Sequence, residues 1–348
     1  MKQIIKTFTL LLIAFCFFSC NKEKENKPAN VKKTYIYAVG NNKTKIRLWQ
    51  KDTSQVITDG SYVSDARGVE IDGNDVYIAG SEKNNSNRFV AKLWKNGTPQ
   101  VLSDSTSTTT DAGGYDVAVA GTDIYMVGYQ SGLGDKAKVW KNGISETLSG
   151  GTDGHVSTQA NAITVSGGNV YIAGNTAKAG KSVACIWKNG VPTMLTDGSR
   201  NAEANDVIIT EDNTVYAVGN AENGNGSVRV AVLWKNGKAQ EFTEGKGSNT
   251  AGAHAVAVSG KDVYVVGFER KSNGAIVAML WKNGKAQELT NDSNNSNDAR
   301  AYTIKILGSD VYIAGSKNGN AVLWKNGKEQ SLTDKKSATI YDLVIVKK

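Results

Sequence analysis

Seven residues able to hydrogen-bond, Arg67, Tyr115, Asn161, Asn205, His254, Tyr302 and Tyr341, recur 39 to 49 positions apart along the 348-residue chain. Each stands two residues before the first core Val, Ile or Leu of a short apolar run. The next position reads Gly68, Asp116, Ala162, Asp206, Ala255, Thr303 and Asp342, which adds three carboxylates. If the seven runs converge, aromatic faces, amides and acids meet at one place, a mixture suited to a polar, ring-containing ligand such as a saccharide. The competing reading is that these side chains cap strand ends and satisfy backbone groups between neighbouring units, with Asp acting as a turn former.

Catalysis has less to draw on. Past residue 20 the chain has two histidines, His155 and His254, with no Cys-His metal spacing, no Gly-x-Ser-x-Gly elbow and no phosphate-binding loop. The "GKS" at 180–182 lacks the upstream glycine such a loop needs. "TNDSNNSND" from residue 290 lacks the spaced acids and glycine of a calcium loop. No cofactor or metal is therefore expected. Asp116, Asp206 and Asp342, with His254 or Tyr302, are the set that glycoside cleavage or lyase chemistry would have to use. A carbohydrate-active enzyme ranks third, behind a ligand-binding module and a protein-interaction scaffold, and the chain is read as a non-enzyme.

The elements that must hold these residues are repeats. All seven tryptophans, Trp49, Trp94, Trp140, Trp187, Trp234, Trp281 and Trp324, are spaced by 45, 46, 47, 47, 47 and 43 residues. In step with them run Tyr37, Tyr77, Tyr125, Tyr171, Tyr216, Tyr264 and Tyr312, each followed three residues later by glycine. Such a period marks a propeller or solenoid. One unit reads as four short strands, "AHAVAVS", "DVYVVG", "IVAMLW" and "KAQELT", here named a to d. Strands c and d are joined by Asn-Gly, the pair that favours a two-residue type I′ hairpin, except in the first unit, which has Lys51-Asp52.

Short strands with Gly- and Asn-rich turns and no helical periodicity predict an all-β fold, and four strands per unit predict a propeller blade. The folded region opens on an orphan strand b, "TYIYAVG" at 34–40, and ends on an orphan strand a, "YDLVIV" at 341–346. Together they make one blade and close the ring, which removes exposed end strands. The expectation is a seven-bladed β-propeller over residues 34–348. With strand a innermost, the seven hydrogen-bonding residues stand at the channel mouth on the face of the long b–c and d–a loops.

The repeat resembles the WD-repeat plan, with "VAVSGKDVYVVG" matching its first hairpin, "VAMLW" its Trp-bearing third strand and "QELT" its outer strand. The Gly-His and Trp-Asp signatures of that family are absent, so the resemblance implies the fold and not the family's partners. The "VYIAG…WKNG" repeat is similar to one in secreted bacterial lipoproteins, notably of Bacteroidota.

At the N-terminus, a basic start (Lys2, Lys6) and an apolar run from Phe8 to Phe18, too short to span a bilayer, read as an export signal over residues 1–19. Ser19-Cys20 resembles the lipobox of bacterial lipoproteins, with Phe17 and Phe18 where that motif has Leu and a small residue. The resemblance implies lipidation of Cys20, with residues 20–33 as a polar tether and an outer-membrane location facing the periplasm or the surface. Membrane association is then through the lipid alone. Cys185, in a strand slot, reads as a small buried hydrophobe. The formal charge of +8 falls to +6 once Lys2 and Lys6 are removed. An exported chain without a concentrated basic stripe is a poor nucleic-acid binder. A monomer is expected, with a glycan or an envelope protein as partner.

Overall fold

The computed structural model describes residues 33–50, 53–132, 134–150, 157–224, 228–243, 250–290, 298–330, 332 and 334–348. The export segment, Cys20 and nearly all of its tether, Lys51-Asp52, His155 and residues 291–297 lie outside them. Residues 34–348 form one compact unit, a ring of seven four-stranded antiparallel sheets, each in the order a-b-c-d. This is a seven-bladed β-propeller. In the blade around Trp281 the strands are Ala251–Ser259, Asp262–Arg270, Ile276–Lys282 and Lys285–Glu288.

Numbering the blades by their tryptophans, blade 1 joins the two ends of the chain: Ala338–Lys347 is its strand a and Thr34–Asn42 its strand b. They pair antiparallel, with Ile36 opposite Ile345. The a strands neighbour one another in a closed circuit around the axis, while the d strands form the exposed outer edge. Strand a is therefore innermost.

Strands a and b are longer than their apolar runs suggest. Strand a of blade 6 starts at Ala251 and not at Ala253, and strand b continues past Gly267 to Arg270. Pairing resumes beyond an irregularity in every a–b ladder, which sequence patterning reads as the start of a loop.

Six c–d turns have Asn at φ of 47 to 51° and Gly at 76 to 86°, the paired positive values of type I′. The Asn side chains also hold the adjoining hairpin. Asn283 Oδ1 accepts from the Val263 amide at 2.8 Å, and its Nδ2 donates to Asp262 at 2.7 Å. Lys282 completes the cluster, 2.7 Å from Asp262 and over the Tyr264 ring. The same quartet recurs at Lys95, Lys141 and Lys325. Hydrogen bonds from lysine first, then from Asn, hold Asp75, Asp123, Asp262 and Asp310 below the ordinary carboxylate range. The lysines that follow the tryptophans are thus paired with an acid in four blades. Lys188 and Lys235 lie over Tyr171 and Tyr216, where Asn169 and Thr214 replace the acid.

Each tryptophan is at most 2% exposed and packs between blades. Trp234 of blade 5 joins Tyr171, Ala173, Ala184 and Ile186 of blade 4 in one cluster. Trp140 and Trp187 also donate their indole N–H to Leu102 and Ser149 carbonyls of the preceding blade. Large rings with a polar handle suit this wedge between sheets. Cys185 is fully buried, and burial pushes its thiol up.

Candidate functional site at the channel mouth

In every blade, strand a carries one extra residue against strand b. The register shifts fall between Ala66 and Gly68, Gly114 and Asp116, Ala160 and Ala162, Ala204 and Asp206, Ala253 and Ala255, and Ala301 and Thr303. In blade 1 the residue passed over is Tyr341. The unpaired residues are Arg67, Tyr115, Asn161, Asn205, His254, Tyr302 and Tyr341, so the seven sequence candidates are the seven bulge residues. A β-bulge bends its strand and re-aims a side chain. Here it turns one side chain per blade toward the axis, and all seven line a single cavity of about 580 Å³.

The bulge also explains the glycine of Tyr-x-x-Gly. A Cβ on Gly80 would lie 2.1 Å from the Asp65 carbonyl oxygen, and the corresponding distances at Gly40, Gly128, Gly174, Gly219, Gly267 and Gly315 are 1.8 to 2.0 Å. At none of the seven is φ positive, so close backbone approach, and not turn geometry, demands glycine.

Around the mouth the seven side chains divide into two arcs. On one side Asn161, Asn205 and His254 reach to the next blade, where Nδ2 or Nδ1 donates to the carbonyls of Ala204, Ala253 and Ala301 at 2.9, 2.8 and 2.8 Å. A carbonyl can only accept, so His254 carries its proton on Nδ1 and keeps the Nε2 lone pair. Burial, then the nearby Arg300 charge, brings His254 down to about 4, opposed by the Ala301 bond. It is neutral at pH 7.

The other arc is aromatic. Phe268 and His254 lie 5.5 Å apart, His254 stacks on Tyr302 at 4.9 Å, and Tyr302 meets Tyr341 at 5.1 Å. The Arg67 guanidinium then sits 4.6 Å above Tyr341 and 5.6 Å from Tyr115, which touches Tyr129. Burial raises the phenols of Tyr115, Tyr302 and Tyr341, so they stay neutral donors.

Asp116, Asp206 and Asp342 line a neck of about 110 Å³ below the mouth. Each carboxylate bridges two blades. Asp116 accepts from its neighbour Val117 and from Ile163 of the next blade, Asp206 from Val207 and Val256, and Asp342 from Leu343 and Val69, all at 2.8 to 3.0 Å. Beside each acid, on the next blade, stands Gly68, Ala162 or Ala255, too small to obstruct; a Cβ on Gly68 would already lie 2.7 Å from Asp116 Cα. Acid and small residue alternate, and in a ring of seven one junction must break the rule. At that junction Thr303 of blade 7 donates its hydroxyl to Asp342 at 2.9 Å.

Below the neck the channel continues as a cavity of about 380 Å³ with Glu70 and Lys305 in its wall. Lys305 is exposed to the channel yet surrounded by protein. That enclosure alone would lower its ammonium, but Asp342, Asp206, Asp116 and Glu70 outweigh it and raise it. Burial raises Asp116, Asp206 and Glu70, with Asp342 adding to the shift at Asp116.

Several mouth residues stand outside the seven recurring positions: Gln159, Glu203, Arg229, Arg270, Arg300 and Phe268. Two signals point to some of them. Gln159, Glu203 and Arg300 lie two residues before a bulge residue, and Phe268 directly follows the conserved-in-repeat glycine, positions where strands continue instead of ending.

No protein-family model matches the sequence, and no curated protein does either. Solved structures do match the fold. A puromycin hydrolase is 8% identical with a TM-score of 0.54, over 86% of this chain and 52% of that one. A puromycin-hydrolysing peptidase of Mycobacterium tuberculosis is 10% identical, with a TM-score of 0.52, over 88% and 53%. The present chain spans about half the length of these two enzymes. A periplasmic gluconolactonase of Pseudomonas aeruginosa is 12% identical, with a TM-score of 0.51, over 90% of this chain and 99% of that one. At such identities the likeness is one of fold.

Proposed function

We propose that this propeller is a binding module of the bacterial cell envelope, holding a polar, ring-containing ligand of the saccharide class at the channel mouth. The observation that carries the proposal is the division of the bulge residues into a stacked aromatic arc and an amide arc around one concave cavity. An aromatic face packs against the C–H face of a sugar, while amides and phenols hydrogen-bond its hydroxyls. The test is a thermal-shift and calorimetric screen of the purified chain against glycans, with a Tyr302→Ala, Tyr341→Ala double variant. A ligand at about 100 times its dissociation constant stabilises by roughly 2.7 kcal/mol. A shift lost in the double variant supports the site, and ligand binding indifferent to both tyrosines refutes it.

The proposal includes export, a lipid on Cys20 and a monomeric propeller. Radiolabelled palmitate incorporated by the wild type and not by Cys20→Ala is the expected result. No catalytic step is included, because the neck carboxylates are committed to bridging blades. A second reading, a protein scaffold, is favoured by the outer edge of blades 1 to 4. There Val56, Val101, Ile144, Val191 and Met194 are all more than 40% exposed, whereas blades 5 to 7 carry the charged edges "KAQE", "KAQE" and "KEQ". Crosslinking in intact cells from Ile144 and Val191, set against crosslinking from the mouth, separates the two.

A further inference from the structure

The cavity wall is cationic in a way the polar arcs do not require. Four of the chain's seven arginines, Arg67, Arg229, Arg270 and Arg300, line the mouth, against one carboxylate, Glu203. Arg229, Arg270 and Arg300 come from consecutive blades 5, 6 and 7 and flank Phe268, over whose ring the Arg300 guanidinium lies at 4.4 Å. Arg67 closes the aromatic arc beyond Tyr341.

Their hydrogen-bonding capacity is largely unspent. Arg67 and Arg300 engage Asp65 and Asp298 through Nε, at 2.8 and 3.1 Å, and their terminal nitrogens make no hydrogen bond among the described residues. Arg229 stands 3.8 Å from Glu203, beyond hydrogen-bond reach, and Glu203 already accepts from Asn220 at 2.8 Å. Arg270 pairs with no carboxylate among the described residues. Guanidinium groups present planar forks matched to carboxylate, sulfate and phosphate, and a concave low-dielectric wall focuses their field. Beneath them Asp116, Asp206, Asp342 and Glu70 face a single cation, Lys305. The guanidinium groups are gathered at the mouth, so an anion is attracted there.

We infer that the mouth selects an acidic saccharide, one whose ring lies on Tyr302 and Tyr341 while its carboxylate, sulfate or phosphate is held by Arg229, Arg270 and Arg300. The inference rests on the mouth being the ligand site and adds the ligand's charge. A cavity of about 580 Å³ admits a short stretch of such a chain.

The experiment is calorimetric titration of the full chain with matched pairs of oligosaccharides, uronate-bearing, sulfated or phosphorylated against their neutral counterparts, at low and high salt. The acidic member is expected to bind about tenfold tighter or more, since charge-assisted bonds contribute that factor each. The advantage should shrink as salt rises, because rim charges are screened. An Arg229→Gln, Arg270→Gln variant should bring the acidic member down to its neutral counterpart. Equal binding of both members at low salt, abolished by Tyr302→Ala with Tyr341→Ala, overturns the charge inference and leaves the mouth site standing. Binding of either member that is unaffected by the tyrosine variant and by the arginine variant overturns both.

Discussion

Gly267 and Gly252 approach so closely across blade 6 that a Cβ on Gly267 would stand 1.9 Å from the Gly252 carbonyl oxygen. That contact lets strand a carry one extra residue, and the extra residue is His254. The repeated glycine and the mouth residue are thus two halves of one device.

Gly267→Ala should therefore destabilise by about 1–3 kcal/mol, the usual cost of forcing atoms into a packed site. Gly224, whose Cβ position meets nothing among the described residues, serves as the control, and Gly224→Ala should change stability by less than about 0.5 kcal/mol. Denaturant midpoints read both. Loss of mouth binding should accompany the first variant, because relief of the clash unmakes the bulge.

His254 predicts an acid limb in stability. Its folded value of about 4 lies below the 6.5 of a free imidazole, so between those values the unfolded chain binds more protons than the folded one. The contribution is complete above pH 6.5 and is lost as pH falls toward 4. About 3 kcal/mol is its ceiling, because the ring is only partly buried where it lines the cavity. Asn161 and Asn205 make the same carbonyl bond from the same position. His254→Asn should keep the Ala301 bond and flatten the stability profile between pH 6.5 and 4, as thermal midpoints across that range will show.

Thr303 predicts a cost that its isostere exposes. Its hydroxyl is the donor at the one junction where acid and small residue fail to alternate. Thr303→Val keeps the shape and removes the bond, and a hydrogen bond to a charged group is worth about 1.5–3 kcal/mol. Urea unfolding should record a loss in that range, well above the change from Thr164→Val, whose side chain lines the open channel.

The tryptophans separate packing from hydrogen bonding. Trp140 donates to Leu102 at 2.9 Å, whereas the buried indole nitrogen of Trp281 has no partner among the described residues and its ring stacks on Phe242 at 5.5 Å. Replacing either with Ala should cost about 3–5 kcal/mol. Replacing each with Phe should cost about 1 kcal/mol more at Trp140 than at Trp281, the net worth of one bond. Equal losses would show that packing alone fixes the wedge.

The sequence by itself determined the seven-fold repeat, the four strands, the hairpin turns and the closure by both ends. These rest on local chemistry: Asn-Gly tolerates positive φ, tryptophan needs a buried apolar wedge, and period-2 patterning needs a strand. It also determined which seven residues recur in register, because a repeat makes equivalent positions comparable within one chain. Only the tertiary structure decided what those positions are. Strand order within the blade, the bulge that turns each residue inward, and the opposing glycine depend on pairing between segments, which no single strand displays. The same holds for the acids. Asp116, Asp206 and Asp342 read in sequence as chemistry, and the fold spends them on amides of the next blade, since buried N–H groups must be satisfied. The arginines have no common position in the repeat, and it is the curvature of the ring that gathers Arg67, Arg229, Arg270 and Arg300 at one mouth.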